Sequence, residues 1–404
     1  MIKIKKFIGS RGLRILEQKL DKRRFYQNNS VPIVSKILKD IKKKKTKALL
    51  KYEKKFSNNK KIKPSHKEIN EAVINLNPKI KKAIDFAYNR IFKYHLLQKP
   101  KNTVFKDNLN NSLRYKSVPI NKVGIYVPAN LPSTLLMNAI PAKIAGVKKI
   151  ILASPRYNNK LNPAVMYAAR KLGISEILSI GGAQAIGSLT YIQKVDKIVG
   201  PGNIYVAKAK KEVFGDVGVE GMIAGPSEIT ILADKKSEIK SVITSLIGQA
   251  EHDVNSQCIV ISKDIELLKS INKLIKLNLK SLPRKQIAEK SLKKNGLLIH
   301  AQNDRNIIEL INLIAPEHLE LNISKPKKYL KKISNAGSVC IGKFSAMALT
   351  DYNVGTNHVL PTMGSARFSS GLNVGDFCKK INYINLTKKG IEVIGKQAIT
   401  LAEY

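Results

Sequence analysis

A chain of 404 residues with 43% hydrophobic residues is long enough to bury the cores of two or more domains. It contains no apolar run of the roughly 18 residues that a membrane span needs, and its start lacks the apolar core of a secretory signal, so we expect no role in a membrane. The net charge of +43 comes from lysines spread along the whole chain, not from arginines clustered with aromatic residues. This pattern argues against a nucleic-acid-binding protein.

The three cysteines, Cys258, Cys340 and Cys378, are far apart and have no spacing typical of a metal site. We therefore expect reduced, packed thiols without a catalytic role. Such thiols are usual in a cytoplasmic protein, because disulfides persist mainly in oxidising compartments.

Residues 1–122 predict a mainly helical region that contributes to the larger of two α/β domains. Ser65 and Glu68 have the spacing of a capping box in front of an apolar helical pattern. Pro78 stands where a further helix can begin, since proline is favoured in the first turn. His95 lies near the end of that helix and is expected at the surface.

From residue 123 to 227, strands alternate with helices, and this alternation predicts a parallel sheet covered on both faces. The predicted strands cover residues 123–128, 148–153, 176–180 and 196–199. In such a sheet, ligands bind beyond the carboxyl ends of the strands, where Tyr126, Gln184 and Asn203 lie. The segment Gly200–Tyr205 begins like the dinucleotide fingerprint but has a tyrosine in place of the third glycine, so that fingerprint is absent.

Residues 228–370 predict a second α/β domain, larger than the first. Glu228–Ala233 and Cys258–Ile261 have the character of buried strands, and Ser237 is a candidate N-cap for the helix between them. Strand, helix and strand in this order predict the parallel crossover unit.

Two pairs of polar residues in this domain are candidates for chemistry. Gln249 and His252 share one helical face and could bind a metal, although a solvated helix end is the alternative. Glu317 and His318 follow Pro316, and such an adjacent acid and imidazole could serve two separate proton transfers. The alternative for this pair is the exposed start of a capped helix.

The polar loop at residues 350–361 contains Asp351 and His358, which are both potential metal or substrate ligands. Polar residues at this density are hard to explain by folding alone in a chain rich in lysine and isoleucine. Residues 371–404 then predict a C-terminal helical tail, because apolar residues recur there at helical spacing.

Together these segments resemble the histidinol dehydrogenase family, and they occur in the order that the family has. The segments that carry the resemblance are Val123–Pro128, Ser179–Ile186, Val195–Asn203, Ala224–Glu228, Gln249–Asp253, Ala315–Leu321 and Asp351–Thr362. The resemblance implies an α/β fold with two parallel-sheet, incomplete Rossmann-like domains, a helical N-terminal region and a shortened C-terminal helical tail. In this scheme residues 123–227 form the NAD-binding domain, and residues 228–370 carry the metal and the catalytic residues.

The resemblance also implies the activity and its cofactors. The family oxidises L-histidinol to L-histidinaldehyde and then to L-histidine, the last steps of histidine biosynthesis, with NAD as oxidant and zinc holding the substrate. The resemblance further implies a cytoplasmic homodimer.

The roles that the resemblance implies fall on ten residues. Glu317 and His318 match the paired proton acceptors, His318 as base and Glu317 as the group that activates water. The zinc ligands match Gln249, His252 and Asp351. The NAD contacts match Tyr126, Gln184 and Asn203. The substrate contacts match Ser227, Gln249, His252, His318, Asp351 and His358.

Three departures from the family pattern bear on these expectations. The loops after Tyr126 and at residues 188–194 are shorter than usual in the family, so we expect a weaker NAD site. The chain stops before the family's C-terminal segment, which supplies a glutamate and a fourth, histidine ligand, so we expect weaker zinc binding and impaired activity. A zinc-dependent hydrolase and a catalytically decayed homologue remain the alternatives.

Overall fold

The computed structural model describes residues 2–26, 32–220 and 225–404, so Ala224 of the segment 224–228 lies outside the described residues. The helices are α1 (Gly9–Tyr26), α2 (Pro32–Ser57), α3 (His66–Ile74), α4 (Pro78–Leu96), α5 (Pro132–Ala145), α6 (Pro163–Lys171), α7 (Gly182–Tyr191), α8 (Ile204–Val213), α9 (Ile239–Ala250), α10 (Ile265–Leu279), α11 (Lys285–Asn295), α12 (Asp304–Ile314), α13 (Lys327–Leu330), α14 (Met347–Thr350) and α15 (Lys388–Glu403). The strands are β1 (Ile4–Lys5), β2 (Thr103–Lys106), β3 (Ser112–Pro119), β4 (Lys122–Tyr126), β5 (Lys149–Ala153), β6 (Glu176–Leu178), β7 (Lys197–Val199), β8 (Gly218–Val219), β9 (Glu228–Ala233), β10 (Gln257–Ser262), β11 (Leu297–His300), β12 (His318–Asn322), β13 (Ser338–Ile341) and β14 (Cys378–Asn385).

The first domain is built on a parallel five-stranded sheet in the order β6-β5-β4-β7-β8. Its strands β4 to β7 form where the sequence predicts them, and β8 adds an edge strand that the sequence did not indicate. Val123, Ile125, Ile151 and Leu152 are fully buried. Helices cover both faces of a parallel sheet, which is why these strands are nearly continuous apolar runs.

The N-terminal helices correct the prediction for residues 1–122. Helix α2 packs on α7, α3 on α6 and α4 on α5, so these three helices cover the five-stranded sheet. In the larger domain, β1 pairs with β11 and α1 contacts α12. The region is also less helical than expected, because residues 103–106 and 112–119 are strands. Apolar spacing predicts a helix but does not say which sheet the helix covers.

The predicted helix starts have mixed outcomes. The capping box at Ser65 and Glu68 is present, with the Ser65 N–H donating to the Glu68 carboxylate at 2.8 Å and the Glu68 N–H donating to the Ser65 hydroxyl at 3.3 Å. Pro78 opens α4. The prediction for Ser237 is wrong: Glu238 is the N-cap of α9 and makes no side-chain cap, while the Ser237 hydroxyl accepts an N–H from the preceding turn at 2.8 Å.

His95 is also not at the surface as expected. Its side chain is completely buried, and its Nδ1 lies 2.9 Å from the Ile91 carbonyl oxygen while its Nε2 lies 3.3 Å from the Asn357 amide nitrogen. Burial lowers the pKa of the ring, and the bond to Ile91 opposes this effect. His95 therefore anchors the polar loop at Asn357 to α4.

The second domain is built on a parallel six-stranded sheet in the order β1-β11-β10-β9-β12-β13. Its centre is the predicted crossover unit, in which β9 precedes and β10 follows α9 in the chain and the two strands pair in parallel. Every residue of β9, β10 and β12 is buried. In this sheet, β9 and β12 are neighbours, with His318 opposite Ile229.

A small antiparallel sheet in the order β14-β3-β2 pairs a strand near the C-terminus with the two strands that follow α4, and α15 comes after it in the chain. The predicted helical tail at residues 371–404 is therefore wrong for residues 378–385, which pair with β3 along its full length. Cys258 and Cys340 are buried, Cys378 is half-buried, and none forms a disulfide. Within the described ranges, none of the helices has the length and apolar character needed to cross a bilayer.

Candidate active site

The predicted acid and imidazole lie at the amino edge of the six-stranded sheet. His318 is the first residue of β12, so the alternative of a capped helix start is excluded. The N–H of Glu228, the first residue of β9, donates to Glu317 Oε2 at 2.8 Å. Ser227, a predicted substrate contact, immediately precedes this strand and is half-buried. The neighbouring strands thus bring Glu317, His318 and Ser227 to one edge.

Glu317 is only 7% exposed, and its environment favours the protonated carboxyl. Burial raises its pKa well above the usual value, and the negative charges of Glu228 and Asp351 raise it further. The Glu228 N–H and the Arg23 guanidinium act in the opposite direction. The carboxyl group is therefore suited to take up and release a proton under conditions in which an exposed glutamate stays ionised.

His318 is buried as a neutral imidazole with an available nitrogen. Burial, followed by repulsion from His358 and His252, lowers its pKa to about 3. Its Nε2 lies 3.9 Å from Glu317 Oε1, and its buried Nδ1 has no hydrogen-bond partner among the described residues. Such an orphaned nitrogen is costly in a folded protein unless a ligand or water satisfies it.

The polar loop brings Asp351 and His358 into the same neighbourhood. His358 Nδ1 lies 2.8 Å from the Asp351 carbonyl oxygen, and its Nε2 lies 3.3 Å from the Thr134 hydroxyl. Burial raises the pKa of Asp351 to about 6. The charge of Asp351 raises the pKa of Glu317, and the charge of His358 lowers the pKa of His318. The loop therefore borders the acid and imidazole pair.

Gln249 and His252 lie at the carboxyl end of α9. Gln249 is 1% exposed, whereas His252 is exposed. Desolvation by the surrounding protein is the largest cause that lowers the pKa of the His252 imidazole, and the positive charge of Arg284 lowers it further. The negative charge of Glu251 opposes both effects. Because His252 also acts on the pKa of His318, this helix end borders the same pair.

The predicted zinc ligands are a glutamine, a histidine and an aspartate. Among residues 2–26, 32–220 and 225–404, no group of three or more His, Cys, Asp or Glu side chains is arranged to hold a metal ion. The predicted set contributes two such side chains, His252 and Asp351, together with the amide of Gln249. Zinc binding by these three residues stays a prediction.

The predicted cofactor residues lie at the carboxyl edge of the five-stranded sheet. The Tyr126 hydroxyl accepts the Gly182 N–H at 3.4 Å, and burial raises the pKa of this tyrosine. The Gln184 amide is buried and donates to Glu53 Oε1 at 2.9 Å. Asn203 is exposed and caps α8, with its side chain accepting two N–H groups at 3.1 and 3.2 Å. Asn203 and Gln184 therefore also stabilise the fold.

The first turn of α5 contacts the polar loop. Thr134 lies in the first turn of α5, beyond the carboxyl end of β4, and it contacts His358 at 3.3 Å. The Gly225 N–H donates to the Thr362 hydroxyl at 2.6 Å, which ties the approach to β9 to the end of the polar loop. The start of α5, beyond the carboxyl end of β4, therefore lies against the loop that carries Asp351 and His358.

Sequence reasoning missed three charged residues of this site. Arg23 forms a largely buried ion pair with Glu228 and also donates to the Pro226 carbonyl at 3.1 Å. Glu53 of α2 is 1% exposed and accepts the Gly181 N–H at 3.0 Å in addition to the Gln184 amide. Glu228 lies in one of the segments that carry the family resemblance, so the sequence did offer a signal for this residue. Arg23 and Glu53 gave none, because their contacts join positions more than a hundred residues apart.

Comparison with known proteins identifies the family of the chain. The family model described as histidinol dehydrogenase matches residues 20–404. The chain is 56% identical to the histidinol dehydrogenase of Pelagibacter ubique, over 100% of this chain and 96% of that protein. It is 41% identical to the enzyme of Bacillus cereus, over 91% of this chain and 88% of that protein.

The fold leads to the same family. The crystal structure of histidinol dehydrogenase from Elizabethkingia anophelis superimposes with a TM-score of 0.91 at 36% identity, covering 100% of this chain and 94% of that one. A probable aldehyde dehydrogenase from Listeria monocytogenes, at 13% identity and a TM-score of 0.52, shares the fold alone. The chain therefore belongs to the histidinol dehydrogenase family, the oxidoreductases of that name in histidine biosynthesis.

Proposed function

We propose that the chain oxidises L-histidinol through L-histidinaldehyde to L-histidine, with NAD as the oxidant and zinc as the ion that holds the substrate. The observation that carries the proposal is the buried pair Glu317 and His318, in which one imidazole nitrogen has no partner and two further imidazoles adjoin it. Family membership supports the substrate. The cofactors, the residue roles and the mechanism are the proposal's own content.

His318 is the base in this scheme. A hydride leaves the alcohol carbon only as the hydroxyl proton departs, so the reaction needs a neutral acceptor close to the substrate. The lowered pKa keeps the imidazole neutral before substrate binds. Once His318 takes the proton, its positive charge, 3.9 Å from Glu317 Oε1, favours the ionised form of that carboxyl, and the carboxylate in turn stabilises the imidazolium.

Glu317 serves the second oxidation, which requires water to add to the aldehyde. The ionised carboxylate accepts the proton of that water, and its raised pKa makes it a stronger base than an exposed glutamate. The Glu228 N–H holds Oε2 at 2.8 Å, so the other oxygen, Oε1, is the one directed to water and to His318. Ser227 and His358 complete the substrate contacts from either side of the pair.

The residues at the end of α9 and in the polar loop fit a zinc ion by donor chemistry. Gln249 offers an amide oxygen, His252 an imidazole nitrogen and Asp351 a carboxylate, and three protein ligands leave a position for substrate. Burial alone raises the pKa of Asp351 to about 6, a penalty that a divalent cation reverses. When bound, zinc supplies a template that orients the imidazole and amine of histidinol.

The proposed NAD site uses Tyr126, Gln184 and Asn203 at the carboxyl edge of the five-stranded sheet. Glu53 holds the Gln184 amide, and the Tyr126 hydroxyl lies at the start of α7. This arrangement differs from the glycine fingerprint, in which a helix N-terminus binds the pyrophosphate. A loosely held dinucleotide suits a reaction in which one NADH leaves and a second NAD enters.

We also infer a cytoplasmic homodimer. The small antiparallel sheet and α15 expose a set of large apolar side chains, which a second copy of the chain would cover: Val104, Phe105, Leu113, Ile381, Tyr383, Ile384, Ile391, Val393, Ile399 and Leu401. The free thiols favour a reducing compartment. Sedimentation of the full chain tests the dimer, and a monomer at micromolar concentration contradicts it.

The test of the reaction is an assay of the purified chain with L-histidinol and NAD, with and without added zinc. We expect histidinol-dependent NADH absorbance, with both NADH equivalents and L-histidine formed and with stimulation by zinc. Zinc-dependent hydrolysis without any nicotinamide requirement would favour the hydrolase alternative. A folded protein that forms no NADH under these conditions would overturn the proposal in favour of a decayed homologue.

A further inference from the structure

Glu320 is a buried carboxylate that the proposed reaction does not use. It lies on β12, two residues after His318, so the two side chains point to the same face of the sheet. Glu320 is 3% exposed. Its Oε1 accepts two hydrogen bonds, one from the Ser245 hydroxyl at 3.0 Å and one from the Met347 N–H at 2.7 Å.

Each of these partners lies one helical turn from a residue that we propose as a zinc ligand. Ser245 precedes Gln249 by four residues in α9, so the two residues share a helical face. Met347 opens α14, and Asp351 follows it by four residues as the C-cap, with the Asp351 N–H donating to the Ala348 carbonyl at 3.3 Å. One carboxylate oxygen therefore links the two short segments that end in Gln249 and Asp351.

Burying the Glu320 carboxylate costs free energy, which indicates that this group has a positional role. Burial raises the pKa of Glu320, whereas the bonds from Met347 and Ser245 lower it, so both bonds favour the charged form. Its pair on the next strand is Cys340, whose pKa burial raises to about 12, so that neighbour is a neutral thiol. A well-packed apolar residue often stabilises a fold as well as a buried charge does. The carboxylate instead supplies fixed acceptor geometry to two helices at once.

We propose that Glu320 is a positioning residue that sets the separation of Gln249 and Asp351 and thereby determines how tightly the chain binds zinc. The inference rests on the proposed ligand set. Outer hydrogen-bond partners of metal ligands act in this way, and their removal typically lowers metal affinity about 10–100-fold.

The chain offers a matched control on the same strand. Asn322 lies two residues beyond Glu320, is 4% exposed, and contacts α9 through the Ser241 hydroxyl at 3.5 Å. That contact is one turn farther from Gln249, and it does not involve α14. Loss of the Asn322 side chain thus perturbs the packing of the strand on α9 without breaking the link to Asp351.

The experiment measures zinc affinity of the full chain by competition with a chromophoric chelator, with folding monitored by circular dichroism. Glu320→Ala is expected to weaken zinc binding about 10–100-fold. Glu320→Gln, which keeps an acceptor oxygen, should restore most of the affinity, and Asn322→Ala should stay close to the unmodified chain. If Glu320→Ala fails to fold, Ser245→Ala, which removes only one of the two bonds, carries the test with an expected fall of about tenfold.

Two results would overturn the inference, and they are distinguishable. If Asp351→Ala binds zinc as tightly as the unmodified chain, the proposed ligand set is wrong, and the role of Glu320 is wrong with it. If Asp351→Ala loses zinc but folded Glu320→Ala and Ser245→Ala match Asn322→Ala, the ligand set stands and Glu320 does not position it.

Discussion

The ion pair between Arg23 and Glu228 allows a sharp test, because it connects the first helix to the proposed catalytic edge. The side chains are 11% and 2% exposed. Arg23 pairs with Glu228 Oε1, which also accepts the Met363 N–H at 3.0 Å, whereas Oε2 has no hydrogen-bond partner among the described residues. Arg23→Met keeps much of the apolar stem but leaves the Glu228 carboxylate buried without its cation. Removing one partner of a buried pair costs about 3–5 kcal/mol.

For a domain of this size, that loss corresponds to a fall in melting temperature of about 6–20 °C. The assay is thermal unfolding followed by circular dichroism, with Arg305→Met as the control. The Arg305 side chain is 89% exposed, and its Nε lies 3.0 Å from Glu309 Oε1. Its removal is therefore expected to lower the free energy of unfolding by about 0.5 kcal/mol or less. Glu228→Gln in the Arg23→Met background should recover part of the loss, because the unpaired charge is gone. A Tm for Arg23→Met within about 2 °C of the unmodified chain would refute the reasoning.

Four further predictions follow from the same contacts. Arg23 lowers the pKa of Glu317, so in Arg23→Met the acid limb of the kcat/KM profile should move to higher pH; an unmoved limb argues against their coupling. Glu317→Gln should slow histidine formation about 10²–10⁴-fold while the first NADH still forms, as measured by NADH yield per histidinol. Glu53→Ala should raise KM for NAD about tenfold with little change in kcat, whereas Lys54→Ala on the exposed side of α2 should not. The pKa of Glu68 falls to about 2 through Lys61, so its contribution to stability is present above about pH 4.5 and disappears as pH falls toward 2; the denaturation midpoints of Glu68→Gln and the unmodified chain should converge there.

The sequence predicted the elements that depend on local patterns. The strands and helices of residues 123–199 were correct, because apolar strands, helical spacing and the left-handed glycine at Gly146 all act within a few residues of one another. The capping box at Ser65 succeeded for the same reason. Ser237 failed because its hydroxyl has a competing use in the turn that precedes α9.

The parts that the sequence did not predict depend on contacts between distant positions. Arg23 meets Glu228 across 205 residues, and Glu53 meets Gln184 across 131. No spacing rule covers such distances. His95 looked like an exposed helix end because its partner Asn357 is 262 residues away. The family resemblance named Glu317, His318 and the other site residues, whereas the supporting charges appeared only when the helices were placed on their sheets.

The contacts of Glu53 have a consequence for how the proposed NAD site would hold and release its dinucleotide. At the start of α7, the Gly181 N–H points to the chain's own carboxyl group and the Gly182 N–H to the Tyr126 hydroxyl. A helix end that commonly receives a phosphate is thus filled from within. In the proposed NAD site, the diphosphate bridge therefore has no place at this helix end and takes its counter-charge from solvent or from the rim of the site. For this reason we expect spent NADH to leave easily while the half-oxidised intermediate stays bound through its own contacts.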